Sequence, residues 1–521
     1  MVVALLWACA GEPPAAGLPV TAEVLTRASL DVRGVRPSEA DLRRVADDPA
    51  AGEDLLDAYL ADARFGDRVR DAFAPVYLTR ADESDLADAD YALLDEPGFL
   101  VGMGEEPLRI LAQIAAEDLP YTDIVRADWT MADDALAERF PVDYPAGETG
   151  WRKVRYTDAR PSAGILSTSG LWWRYPTTTG NANRGRAAAL MRILTCQDFL
   201  EQDIVVDPTL DLLDDAAVQS ALTTNPGCVG CHHSLDPIGS YLWGSYVEFS
   251  WNVTDLAYYH PERESLWQTY GGDVPAAYYG EPGEGVEGLG RQIAQDPRLI
   301  SCIVEQVREV LLRRPARVDE RDALTAHRES FLAAGLTVRA LYGGVLREAA
   351  YRSSGEDGPW KLVSPELYVS QVEGLTGYRF TVGGRDVIQY DTFGLRTLAG
   401  GGRSVYGASS ASDATPTATV VLERIAEAAA AHVVAHDREE RAAPRLFTEL
   451  DPGAPAEDDA TVAQIQTLYL RILGRTVGAD GAEVAEVRAL WDDLHALDGQ
   501  PATAWQGVVA AMLRHPDFLV Y

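Results

Sequence analysis

The stretch Ile303-Val304-Glu305-Gln306-Val307-Arg308-Glu309-Val310-Leu311-Leu312 places Ile303, Val307, Val310 and Leu311 on one face, at the 3.6-residue period of an α-helix. Arg313-Arg314-Pro315 stops that helix, and the segment runs on to Leu346-Arg347-Glu348-Ala349-Ala350-Tyr351 and Arg352. The same plan occurs twice more: a helix, an Arg-containing turn, a second helix, then a helix ending near an aromatic. One copy runs from Val24 to Tyr77 and contains Leu30-Asp31-Val32-Arg33-Gly34-Val35-Arg36-Pro37-Ser38, with Ser38 reading as the N-cap of the next helix. The other runs from Ile465 to Tyr521, where Ile465, Leu468, Ile472 and Leu473 share a face ahead of Gly474-Arg475. The spacing between copies is too long and uneven for a solenoid. The arginines of these turns read as ligands for carboxylates and helix C-termini rather than for a substrate.

These copies predict a mainly α, multi-module helical protein. Irregular Gly- and aromatic-rich loops surround a cysteine motif, and a small α/β insertion sits in the second half. The reading divides the 521 residues into a signal remnant (1–9), an N-terminal helical module (10–120), a cysteine-motif region with its helical module (121–355), a small α+β region (356–451) and a C-terminal helical module (452–521). Residues 160–180 read as loop or short strands, and 251–290 as a long ordered loop. Residues 358–407 read as a helix with short strands at 379–382 and 386–390, and 416–441 as one Ala-rich helix.

The net charge of −35 argues against nucleic acid, which needs clustered Lys and Arg. No apolar run reaches the roughly 18–20 residues that span a bilayer. Met1-Val2-Val3-Ala4-Leu5-Leu6-Trp7-Ala8-Cys9 is apolar and gives way to Gly11-Glu12-Pro13-Pro14. Leu6-Trp7-Ala8-Cys9 resembles a bacterial lipobox, whose cysteine is diacylated, although no basic n-region precedes it. The expectation is an exported envelope lipoprotein held on a membrane surface through Cys9. Ala10, where an Asp would favour the inner membrane, points to outer-membrane sorting.

Cys228-Val229-Gly230-Cys231-His232 carries the chemistry. Thiols one helical turn apart can both add to the vinyl groups of one haem, and the histidine that follows then lies under the iron. In a chain with five cysteines and eight histidines, this spacing arises by chance about once in a thousand such chains. Two other chemistries use the same residues. A Cys-x-x-Cys pair can form a disulfide, and all four cysteines after Cys9, or these two with histidines, can close a zinc site. Four cysteines admit three pairings. If haem takes Cys228 and Cys231, Cys196 and Cys302 are left as a pair. For a sixth iron ligand the candidates are His260, then Met191 and Met103, with His233 facing elsewhere. His432 and His436 share a helix face without a zincin-like Glu, Gly400 to Gly402 reads as a turn, and Asp82, Glu83, Asp85, Asp88 and Asp90 form an acidic loop without calcium-loop spacing. No phosphate loop, nucleophile elbow or dinucleotide fingerprint is present.

The runs Arg160-Pro161-Ser162-Ala163-Gly164-Ile165-Leu166, Asn183-Arg184-Gly185-Arg186, Leu194-Thr195-Cys196, Asn225-Pro226-Gly227-Cys228-Val229-Gly230-Cys231-His232 and Leu235-Asp236-Pro237-Ile238-Gly239 together resemble the planctomycete-type cytochrome c domain families. These are large envelope proteins, mostly of unknown function. Leu289 to Cys302 and the helix after it are similar to the small C-terminal module of those families, and the likeness covers roughly 121–352. The resemblance implies one covalent c-type haem on Cys228, Cys231 and His232, beside a turn at Asp236 to Gly239 where Pro237 fixes the chain and Gly239 admits a flat cofactor. Tyr241-Leu242-Trp243-Gly244 departs from the Phe-rich segment usual there. The functions expected are electron transfer or redox sensing with a redox partner protein; the alternatives are a non-redox scaffold stapled by disulfides or zinc, and a haem peroxidase-like enzyme.

Overall fold

The computed structural model describes residues 18–80, 97–199, 201, 211, 213–245, 255, 257–353, 359–401, 415–455 and 457–521. Cys9, the lipobox around it and the acidic loop from Asp82 to Asp90 lie outside them. The fold is mainly α, and the strands described form only two-stranded antiparallel ladders, such as Thr130–Ala132 with Arg152–Val154.

The three helical copies form as their periodicity requires. In each, the first helix ends on a left-handed residue whose N–H closes the last turn: Gly34 on the Leu30 carbonyl, Arg313 on Glu309 and Gly474 on Leu470. Gly bears φ near +70° at no steric cost at Gly34 and Gly474, whereas Arg313 takes a left-handed φ of 54° with a Cβ. Ser38 caps Glu39–Asp47 by accepting from the Asp41 N–H at 3.1 Å. The turn arginines bind carbonyls and carboxylates. Arg36 donates to the Gln371 side chain and the Asp517 carbonyl, and Arg475 pairs with Asp517 and Glu483.

Several local expectations change. Residues 160–180 form no strand: a 3-10 turn, Gly164–Ser167, leads into helix Ser169–Arg174. Gly164 lies so close to the Ile124 carbonyl that a Cβ would come within 2.2 Å of its oxygen, so the glycines here serve helix packing. The run 251–290 contains short helical turns and a two-residue ladder, Ala277–Tyr278 with Glu281–Pro282. The strands expected at 379–382 and 386–390 shrink to Thr381–Val382 and Arg385–Asp386, joined at Gly383-Gly384. The Ala-rich helix spans Pro416–Glu439.

Two large cores organise the chain. One joins the first and second copies with the cysteine-motif region. The other gathers described apolar residues between Val363 and Tyr521 around Tyr368, Val433 and Trp505, with Leu30 contributed by the first helix, while Leu470 joins the first core. They are fastened by a buried polar knot. Asp31, on the first helix, accepts from Lys361 Nζ at 2.5 and 2.6 Å, from Tyr351 Oη at 2.7 Å and from Tyr521 Oη at 3.3 Å. Lys361 and Tyr521 exchange both backbone hydrogen bonds, which brings the last residue back to the first helix. Burial pushes the Lys361 ammonium down to about 8, against the pull of Asp31.

Breaking one partner of such a pair leaves an uncompensated buried charge. Lys361→Met is therefore expected to cost about 3–5 kcal/mol, read as a lower thermal unfolding midpoint, and Asp31→Asn/Lys361→Met to recover part of it, because the amide oxygen still accepts from the phenols. Burial, then the charge of Asp31, pushes the Tyr351 phenol well above its ordinary range, and Tyr521 is raised the same way. Their contribution to stability is full below the free phenol value of about 10 and is lost as pH rises from there toward the folded-state values. Unfolding midpoints should fall above about pH 10, less steeply in Tyr351→Phe/Tyr521→Phe.

Candidate cofactor site

The cysteine motif opens a helix, Pro226–Gly239. Asn225 caps it by accepting from the Gly227 N–H at 2.9 Å, and Pro226 takes the first helical position, where no N–H is needed. Cys228 and Cys231 then stand three residues apart on one face, with His232 four residues from Cys228. Both cysteines are half-buried thiols outside any disulfide, Gly230 and His233 are exposed, and Cys231 packs against the main core. Burial increases along the helix to Leu235, Ile238 and Gly239.

The far end of this helix is held by a second one, Arg184–Thr195. Asp236 accepts from Arg184 through both oxygens, at 2.7 Å from Nε and 3.2 Å from Nη2. The same Asp236 Oδ1 lies 2.9 Å from His232 Nδ1. Burial raises the Asp236 carboxyl, but the hydrogen bonds from His232 and Arg184 outweigh it and hold the group below the usual carboxylate range. An ionised carboxylate only accepts, so Nδ1 carries the proton, and in the neutral imidazole the Nε2 lone pair is left for another partner. Asn183 and Arg186 complete the clamp. Asn183 Nδ2 donates to the Gly239 carbonyl at 3.3 Å, and Arg186 donates to the Tyr175, Trp172 and Ser245 carbonyls.

The expected turn at Asp236 to Gly239 is instead the last turn of the helix, with Pro237 inside it. Gly239 admits close approach of the chain rather than of a cofactor: a Cβ there would stand 2.8 Å from the Ala182 carbonyl oxygen. The opposite end of the clamping helix is also tied down. Cys196, its C-cap, is bonded to Cys302 with Cα atoms 5.2 Å apart, and Gln306 Nε2 donates to the Ile193 carbonyl at 2.9 Å.

That disulfide rules out a zinc site made of all four cysteines. Among the described residues no group of three or more His, Cys, Asp or Glu side chains is gathered for a metal ion. A covalent haem asks for less, namely two thiols on one helix face and one imidazole nitrogen, and Cys228, Cys231 and His232 Nε2 supply that set. The expected sixth ligands are engaged elsewhere. His260 lies with Nε2 2.9 Å from the Asp255 carbonyl oxygen and Nδ1 3.2 Å from Glu262, contacts within its own segment. Met191 is fully buried, with Sδ 3.7 Å from Tyr279 Oη, and Met103 lies in a separate apolar cluster with Phe99 and Trp173. His436 bonds to Asp437, whose carboxylate caps the backbone N–H groups of Arg445, Leu446 and Phe447.

The Arg184–Asp236–His232 chain went unread in the sequence, although the four-residue step from His232 to Asp236 signals a shared helix face. Comparison with family models, with curated proteins and with solved structures finds no match to this chain. No described helix is long and apolar enough to cross a membrane.

Peptide mapping of protein made without haem maturation tests the thiol assignments. Under non-reducing alkylation, Cys228 and Cys231 should be modified, while Cys196 and Cys302 should appear as one linked peptide pair. Cys196→Ser/Cys302→Ser should lower stability by roughly 2–5 kcal/mol, since the bond closes a long loop.

Proposed function

We propose that this chain is an envelope-anchored protein carrying one covalent c-type haem, similar to the planctomycete-type cytochrome c domain families, and that it transfers or senses single electrons. The observation that supports this best is the Asp236 carboxylate 2.9 Å from His232 Nδ1. With Nδ1 held by Asp236, itself fixed by Arg184, the ring presents Nε2 on the helix whose first two turns carry the thiols. Metal-binding histidines commonly donate their other ring N–H to a carboxylate in this way.

In this reading Cys228 and Cys231 would hold the haem covalently and His232 Nε2 would bind its iron. Leu235 and Ile238 seat the helix against the core. Bound there, the group supplies a reversible one-electron iron couple. Asp236 and Arg184 hold the imidazole plane, and the Cys196–Cys302 bond fixes the clamping helix behind it. Lipidated Cys9 would keep the protein on a membrane surface, facing the periplasm or the cell exterior, where a redox partner protein can meet it. The stapled helices also support a second reading, a non-redox scaffold, in which Cys228 and Cys231 stay thiols or close on each other.

Co-expression with a c-type maturation system separates the two. The haem reading expects a c-type pyridine haemochrome spectrum that survives acid–acetone extraction and vanishes in Cys228→Ala/Cys231→Ala. Folded parent protein without haem would overturn it in favour of the scaffold.

A further inference from the structure

We infer that Asp236, held by Arg184, is a tuning residue that makes His232 a strongly electron-donating axial ligand and sets the site at the low-potential, ferric-favouring end of the c-type range. The inference rests on the haem reading above and goes beyond it, because two thiols and a histidine hold iron equally well whatever the potential.

The partner of the proximal nitrogen decides the point. A neutral carbonyl oxygen on Nδ1 orients the ring and raises its basicity a little, whereas a carboxylate draws the Nδ1 proton more strongly and leaves more charge on Nε2. Here the acceptor is a carboxylate at 2.9 Å. The Asp236 side chain is only 13% exposed, so solvent screens the interaction little. Arg184 fixes the carboxylate in plane through Nε and Nη2 and keeps it ionised. Two further features act in the same direction. The thiols lie on the less buried half of their helix, and exposure to water favours the more highly charged oxidised iron. The net charge of −35 adds a field of the same sign. The fitting partner is therefore a low-potential electron donor or acceptor.

The charges on Asp236 and Arg184 are opposite, so their removal should move the potential in opposite directions. The test is spectroelectrochemical titration of matured parent, Asp236→Asn, Arg184→Gln and the exposed control His233→Asn, at low salt and at about 1 M salt, where through-space effects are screened. Asp236→Asn should shift the midpoint upward and Arg184→Gln downward, with His233→Asn unmoved and the Asp236→Asn shift persisting in high salt. A merely structural role would move both variants the same way or neither, and that outcome overturns the inference. If Asp236→Asn does not load haem, the sign for Arg184→Gln decides, and an upward or absent shift overturns it. Absence of covalent haem from the parent sinks the haem reading itself, whereas a haem-loaded parent with unmoved variants sinks only the tuning role.

Discussion

A helix that carries two thiols on its first two turns is oriented by whatever holds its last turn, and here that is the ion pair between Arg184 and Asp236. One carboxylate oxygen serves both Arg184 Nε and His232 Nδ1. The contact that fixes the helix therefore also fixes the plane and tautomer of the imidazole. Helix geometry makes this economical: His232 and Asp236 are one turn apart on the same face, and Asn225 and Pro226 start the helix so that Cys228 and Cys231 fall on its first turns. The site is thus built from one short segment and one clamp, and the clamp is anchored at both ends, by Asp236 and by the Cys196–Cys302 bond.

The same economy runs through the rest of the chain. Cations are few, 45 Lys and Arg against 80 Asp and Glu, yet Arg27, Arg186 and Arg308 are among the largest fully buried side chains. Each fastens segments distant in sequence. Arg27 donates to the Tyr351 and Ser353 carbonyls, Arg308 bridges Glu320 and Glu348, and Arg339 caps the carbonyls of Leu60, Ala115 and Ala116. The planar guanidinium suits this role, since it stays charged when buried and satisfies several acceptors at once. The surplus of acids leaves the chain with a net charge of −35.

Most of the helical architecture was legible because amphipathic period, caps and stop signals agree. Ser38, Gly34 and Gly474 act as their residue types predict. The errors have physical causes. Gly and Ser at 160–180 suggested loop or strand, but the glycines there allow helix-to-chain contact, as at Gly164 and Gly170. Pro237 suggested a turn, yet Asp236 and Asn183 hold the helix through it. His260 stands out in the sequence as a lone histidine in an aromatic segment, and its neighbours are Asp255 and Glu262. The Cys-x-x-Cys-His spacing could be read directly, but the residue that gives the histidine its tautomer could not be paired with Arg184, because 52 residues separate them.

The most direct measurement is a crystal structure of the protein after c-type maturation. The account predicts thioether bonds from the sulfurs of Cys228 and Cys231, iron on His232 Nε2, and Asp236 still bridging Nδ1 and Arg184. A disulfide between Cys228 and Cys231, or iron held through any other protein nitrogen with His232 turned away, would contradict it.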